Sequence, residues 1–196
     1  MSDPGIDPSD TRTGGRHVAR NSAIVVGLVL AVLIGFLATR GLSTPISSRI
    51  VGQAAPDFSG TTLDGSEWIM SNHRGEWVVV NFFATWCTAC RLEDPELEKF
   101  VIDHNGDPVK VISVAFSDDA ESIRSYWATE RNNWPVISSN TGSIALDYGV
   151  TKVPESYVVA PNGLVVAGFF GGVTAAGLDK VIDDNGGMAV AMTTGA

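Results

Sequence analysis

Apolar and polar positions along this chain fall into blocks of changing period, and the changes mark out its elements. Between 22 and 38 there is no charge, and Ala, Val, Leu, Ile and Gly predominate. That length sits at the lower limit for a helix crossing about 30 Å of hydrocarbon, so a transmembrane anchor is expected over 21–39. Further on, Thr61 to Trp68 holds the turn signal Leu63-Asp64-Gly65-Ser66 between β-formers, which predicts a small hairpin. Val78 to Phe83 is almost continuously apolar, as in a strand covered on both faces. From Cys87 to about His104 the apolar Leu92, Leu97, Phe100 and Val101 follow a helical period, with Pro95 expected to kink the helix.

Val109 to Phe116 reads as a second buried strand, and Ala120 to Arg131 as an amphipathic helix using Ile123, Tyr126 and Trp127. Two buried strands joined through a helix are most economically parallel, with a right-handed crossover. Trp134 to Ile137 is a short extended piece, and a brief helix is expected near Gly142 to Tyr148. Ser156 to Val159, Pro161-Asn162-Gly163 and Leu164 to Val166 then spell out strand, turn, strand, and Leu178 to Ile182 a closing helix. This order defines an α/β fold with helices flanking a mixed central sheet.

The expected organisation is therefore a cytoplasmic disordered tail (1–20), the anchor (21–39), a tether (40–53), one folded domain (54–182) and a flexible C-terminal tail (183–196). Arg12, Arg16 and Arg20 precede the anchor, against Arg40 and Arg49 after it. The positive-inside bias places the N-terminus in the cytoplasm and the domain outside the cytoplasmic membrane. A cleaved signal peptide would leave an Ala-x-Ala site, and Phe36-Leu37-Ala38-Thr39-Arg40 offers none. From residue 50 onward, 8 Lys and Arg stand against 19 Asp and Glu, a net charge of −11. This excludes a nucleic-acid partner and favours a neutral or basic one. No internal repeat is evident.

The chain has only two cysteines, Cys87 and Cys90, placed where the strand ending at Phe83 hands over to a helix. A thiol at a helix N-terminus faces unpaired N–H groups and the positive end of the helix dipole, so its thiolate is favoured. Cys87 is thus the attacking sulfur, and Cys90, one turn further in and more buried, resolves the mixed disulfide. Half of a zinc site would need two further ligands nearby, and His17, His73 and His104 do not pair at ligand spacing. A purely structural disulfide rarely spans two residues. No metal is expected. No cofactor is expected either, since no Gly-x-Gly-x-x-Gly is present to hold a nicotinamide or flavin.

Ala55-Pro56-Asp57-Phe58, the strand and cysteine pair Val79 to Cys90, Pro95, Tyr148 to Glu155 and Pro161-Asn162-Gly163 occur in this order at characteristic separations. Together they resemble the thioredoxin fold, and more narrowly the membrane-anchored thiol:disulfide oxidoreductases of the TlpA/ResA/CcmG (DsbE) family. The resemblance implies a cis peptide bond before Pro154, which packs against the cysteines and offers the backbone of Val153 to a substrate peptide. It also implies functional carboxylates at Glu93, three residues after Cys90, and at Glu155. Where thioredoxins carry a buried Asp, this chain has Asn81, read here as a structural residue satisfying backbone groups. On a helix, residues three apart share a face, so Glu93 can accept the proton of Cys90 or raise its pKa. Trp86 is expected to shield Cys87 and offer an apolar edge to partners. The remaining tryptophans are assigned to packing.

The expected activity is that of an extracytoplasmic thiol:disulfide oxidoreductase on protein disulfides. The resemblance makes an apocytochrome c the most concrete substrate and cytochrome c biogenesis the setting, with a transmembrane thiol reductant resupplying electrons. Thr88-Ala89 lacks the proline often found between such cysteines, so a disulfide-forming oxidant for exported proteins is the alternative. A peroxidase of the peroxiredoxin kind would need a Thr and Pro set that Phe83-Ala84-Thr85-Trp86 lacks. A thioredoxin-fold copper-delivery protein would place three residues between its cysteines and add a late His, which this sequence does not have.

Overall fold

The computed structural model describes residues 27–32, 50–130 and 132–187. Of the expected anchor, only 27–32 is described, and it is helical and exposed. The tail 1–20, the rest of the anchor and most of the tether lie outside the described residues. Among the described residues, no helix is long and apolar enough to cross a membrane.

The domain begins with a hairpin, β1 (Ser59–Thr61) and β2 (Glu67–Ile69), followed by a 3-10 turn at Met70–His73. Then come β3 (Trp77–Phe83), α1 (Thr88–Asp103), β4 (Val109–Ala115), α2 (Ala120–Glu130) and β5 (Val136–Ile137). The second half holds α3 (Thr141–Tyr148), β6 (Glu155–Val159), β7 (Val165–Phe170) and α4 (Ala175–Asp184). Five strands make one sheet in the order β5-β4-β3-β6-β7. The first three run parallel, while β6 and β7 add antiparallel. This is the thioredoxin-like α/β fold with the mixed sheet that the pattern predicts.

All seven residues of β3 are buried, because the strand is central and covered on both faces. Val78, Val80 and Phe82 pack with Phe58, Trp68, Met70, Ile144 and Tyr148, which the hairpin, the 3-10 turn and α3 bring to one face. Trp77 and Val79 pack on the other with Leu97 and Phe100 of α1 and Leu178 and Ile182 of α4. A third cluster gathers Phe83, Ala115, Ile123 and Tyr126 around Cys87 and Cys90. The strand alternation therefore turns Asn81 toward α1 along with its odd-numbered neighbours.

α1 runs through Pro95 to Asp103, the extent its apolar period predicts. Two other boundaries differ from expectation for local reasons. The hydrogen-bonded domain starts inside the expected tether: Gly52 N–H donates to Val165 O at 2.8 Å, and Val165 N–H to Gln53 O at 2.9 Å. α4 is twice as long as expected, since the Thr174 hydroxyl accepts from Gly177 N–H at 3.1 Å and caps it upstream of the apolar run. Thr174→Ala should lower stability by about 1 kcal/mol in urea melts, with Thr174→Ser recovering most of it. α3 ends on Gly149, whose φ of 71° suits a residue without a side chain.

Candidate active site

The cysteines sit where β3 runs out. Cys87 is the N-cap of α1, with extended backbone, and its Sγ accepts from Cys90 N–H at 3.1 Å. A sulfur so placed sees the helix N-terminus directly, which favours a thiolate once the pair is reduced. Here Cys87 and Cys90 are joined by a disulfide, with Cα atoms 5.3 Å apart. Cys90 is 1% exposed and Cys87 7%, so the attacking sulfur presents only a narrow face, rimmed by exposed Trp86, Thr88 and Ala89.

The loop after β4 holds this turn in place. Thr85 N–H donates to Asp118 at 2.6 Å, and Trp86 Nε1 to Ser117 O at 3.2 Å, Ser117 having φ 48°. Trp86 remains 61% exposed beside the cysteines. Arg91 donates from Nε to Thr85 O at 3.0 Å and lies over the Tyr126 ring at 5.1 Å. Opposite, the Val153–Pro154 bond is cis. Val153 is half-buried and packs against the cluster that contains both cysteines.

Glu93, one turn beyond Cys90, is 2% exposed. Its Oε1 accepts from Asn81 Nδ2 at 2.8 Å and its Oε2 from Val173 N–H at 3.0 Å. Burial pushes its carboxyl from an ordinary value of 4.5 up to about 7, against those two hydrogen bonds and with some help from neighbouring Asp94. A carboxyl that titrates near neutrality one helical turn after Cys90, on the same helix face, has the chemistry to take a thiol proton. Glu155, just after Pro154, is likewise buried and accepts from Tyr157 OH at 2.9 Å.

Sequence reasoning missed Asp94. It is buried, receives the Tyr126 hydroxyl, and burial raises its pKa. In sequence it resembles the acids around it, and nothing but the position of α2 distinguishes it. Asn81 also differs from expectation. Rather than satisfying backbone groups, its side chain meets those of Glu93, Ser156 and Ser113. Among the described residues no group of His, Cys, Asp and Glu is arranged to hold a metal ion.

A helix-capping dithiol turn, a facing cis-proline loop and a buried carboxyl beside the second cysteine define a thioredoxin-fold thiol:disulfide oxidoreductase. The chain belongs to the AhpC/TSA family, whose model matches residues 51–167. It is similar to the thioredoxin-like protein YneN of Bacillus subtilis, 29% identical over 165 residues covering 81% of this chain and 96% of the relative. It is also similar to the thiol-disulfide oxidoreductase ResA of Bacillus thuringiensis subsp. konkukian, at 24% identity over 81% of this chain and 92% of that one. Among solved structures, a thiol:disulfide interchange protein of the thioredoxin family from Chlorobium tepidum superposes with a TM-score of 0.62. It is 26% identical and covers 70% of this chain and 97% of its own.

Proposed function

We propose that the chain reduces protein disulfides outside the cytoplasmic membrane, anchored by its N-terminal segment. The exchange chemistry in this reading is supported by the buried Glu93 carboxyl one helical turn after Cys90 and by exposed Trp86 beside Cys87. Direction and location rest on the family resemblance and on the charge pattern around residues 21–39. The Cys87 thiolate attacks one sulfur of a target disulfide, forming a mixed disulfide and releasing the other sulfur, which takes a proton. Cys90 then passes its proton to the Glu93 carboxylate and attacks the Cys87 sulfur. The target's second sulfur is expelled as a thiolate and takes up the proton held on Glu93, so the target leaves as a dithiol, Cys87–Cys90 is the disulfide formed, and two electrons have passed to the target. A membrane protein bearing a dithiol returns those electrons.

An apocytochrome c, with its paired haem-attachment cysteines, is the substrate class that the CcmG and ResA resemblance suggests, and cytochrome c biogenesis the setting. Exposed Trp86 and half-buried Val153 form the face offered to it, with buried Pro154 and Glu155 supporting the Val153 backbone from behind. Trp86→Ala should lower kcat/KM about tenfold on a protein disulfide while leaving a small disulfide such as oxidised glutathione nearly unaffected. Cells producing the Cys90→Ala chain should accumulate mixed disulfides on Cys87. Recovery of a polypeptide with a Cys-x-x-Cys-His segment supports the substrate, and recovery of other proteins alone retires it. The reduction potential tests direction: a value toward roughly −270 mV fits a reductant, and one near −120 mV makes the chain an oxidant.

A further inference from the structure

Behind Glu93 lies a buried polar relay that thiol exchange as described does not use. Trp134 Nε1 donates to Ser113 Oγ at 2.8 Å, and Ser113 Oγ donates to Asn81 Oδ1 at 3.0 Å. Asn81 Nδ2 donates to Glu93 Oε1 at 2.8 Å and to Ser156 Oγ at 3.1 Å. Asn81, Ser113, Ser156 and Glu93 are each at most 2% exposed, so water does not compete for these bonds. The relay has a direction. An indole N–H can only donate, which leaves the Ser113 hydroxyl to donate in turn to the carbonyl end of Asn81. The amide is then fixed with its NH2 toward Glu93.

The consequence concerns where a proton can sit on Glu93. One oxygen faces the Asn81 NH2 and the other the Val173 N–H, and neither group can accept. A proton arriving on the carboxyl is therefore excluded from both of those directions and is left to the lone pairs that remain. Cys90 lies one helical turn earlier on the same face. We propose that Asn81 is a positioning residue for the resolving step, its amide locked by Ser113 and Trp134 so that Glu93 keeps its free lone pairs for the Cys90 proton. The inference rests on Glu93 being the acceptor of that proton.

The groups around Glu93 allow the effect to be isolated. On α1 the charged neighbour acting on it is Asp94, itself occupied by the Tyr126 hydroxyl of α2. Glu96, on the same helix, is engaged by Ala175 N–H at 2.9 Å. From β3 and β6 come neutral Asn81 and Ser156, and from the segment before α4 the Val173 backbone. Removing the Asn81 donor withdraws a hydrogen bond that favours the ionised carboxyl, so Glu93 should titrate at higher pH.

The test follows the resolving step alone. Reduced full-length protein is converted to the Cys87–glutathione mixed disulfide, and release of glutathione by Cys90 is timed across pH 5 to 9. The native chain should show a rate limb with its midpoint near 7, where Glu93 titrates. Asn81→Ala and Ser113→Ala should each move that midpoint up by about one pH unit. Ser113→Ala leaves Asn81 in place but frees its amide to turn, so it tests orientation separately and serves if Asn81→Ala does not fold. Glu93→Gln should erase the limb, leaving only the thiol's own titration near about 8.5. If Glu93→Gln leaves the limb intact, Glu93 is not the acceptor and the underlying reading fails. If Glu93→Gln erases it while both Asn81→Ala and Ser113→Ala leave the midpoint unmoved, Asn81 is merely structural and this inference is overturned.

Discussion

Cys87→Ser should abolish turnover of a protein disulfide such as insulin, a loss of at least about a thousandfold, while its folded sheet survives. The sulfur is the N-cap of α1 and accepts from Cys90 N–H. A serine hydroxyl keeps that capping bond, since Ser is among the preferred N-cap residues. What it loses is the nucleophile: its proton does not leave near neutral pH, and no thiol remains to form the mixed disulfide. Cys90→Ser should also stop turnover, but by a different route. The mixed disulfide on Cys87 then forms and persists, so a single-turnover assay separates the two variants. Equal failure to form the adduct would contradict the assignment of roles.

The second large effect lies in stability against pH. Glu93 has a folded value of about 7 against an ordinary value of 4.5. The folded protein therefore holds a proton that the unfolded chain releases between those limits. Its contribution is fully present below about pH 4.5 and is lost as pH rises through 7. At about 1.4 kcal/mol per pH unit the loss amounts to about 3 kcal/mol. Asp94, also raised by burial, adds a slope of the same sign at its own titration, and so does His104, whose bonds to Asp179 and Asp107 outweigh its burial. Comparing native and Glu93→Gln urea curves at pH 4.5, 6 and 7.5 isolates Glu93. At pH 4.5 the variant should be the less stable of the two, because a Gln amide turns one donor against Asn81 or Val173. Its decline from 4.5 to 7.5 should nonetheless be smaller by about 3 kcal/mol.

What the sequence shows of this molecule follows from which interactions are local. The run Val78 to Phe83 and the pair Cys87, Cys90 declare a buried strand and a helix start, because burial on both faces and helix capping leave marks within ten residues. The cis bond before Pro154 was legible only through the family resemblance carried by Tyr148 to Glu155, not through a local pattern. Glu93 was legible as a functional acid from the resemblance and from its place three residues after Cys90, but its burial was not, and Asp94 looked like one more acid of a solvated helix face. The segment before α4 reaches the first and the Tyr126 hydroxyl the second, contacts that no local pattern connects. Asn81 was legible as a buried polar residue in a strand, but its partners come from β4, β6 and α1, which no local pattern connects. The true start of α4 escaped for a smaller reason: Gly177 interrupts the helix-forming signal of Ala175 and Ala176, and the Thr174 cap sets the start.

The most direct measurement is alkylation of the reduced protein by iodoacetamide across pH, with each cysteine followed separately by peptide mass spectrometry. Cys87 should react rapidly with a midpoint well below the usual thiol value of about 8.5, while Cys90 stays slow until higher pH. Two thiols titrating together near that ordinary value, at equal rates, would contradict the account.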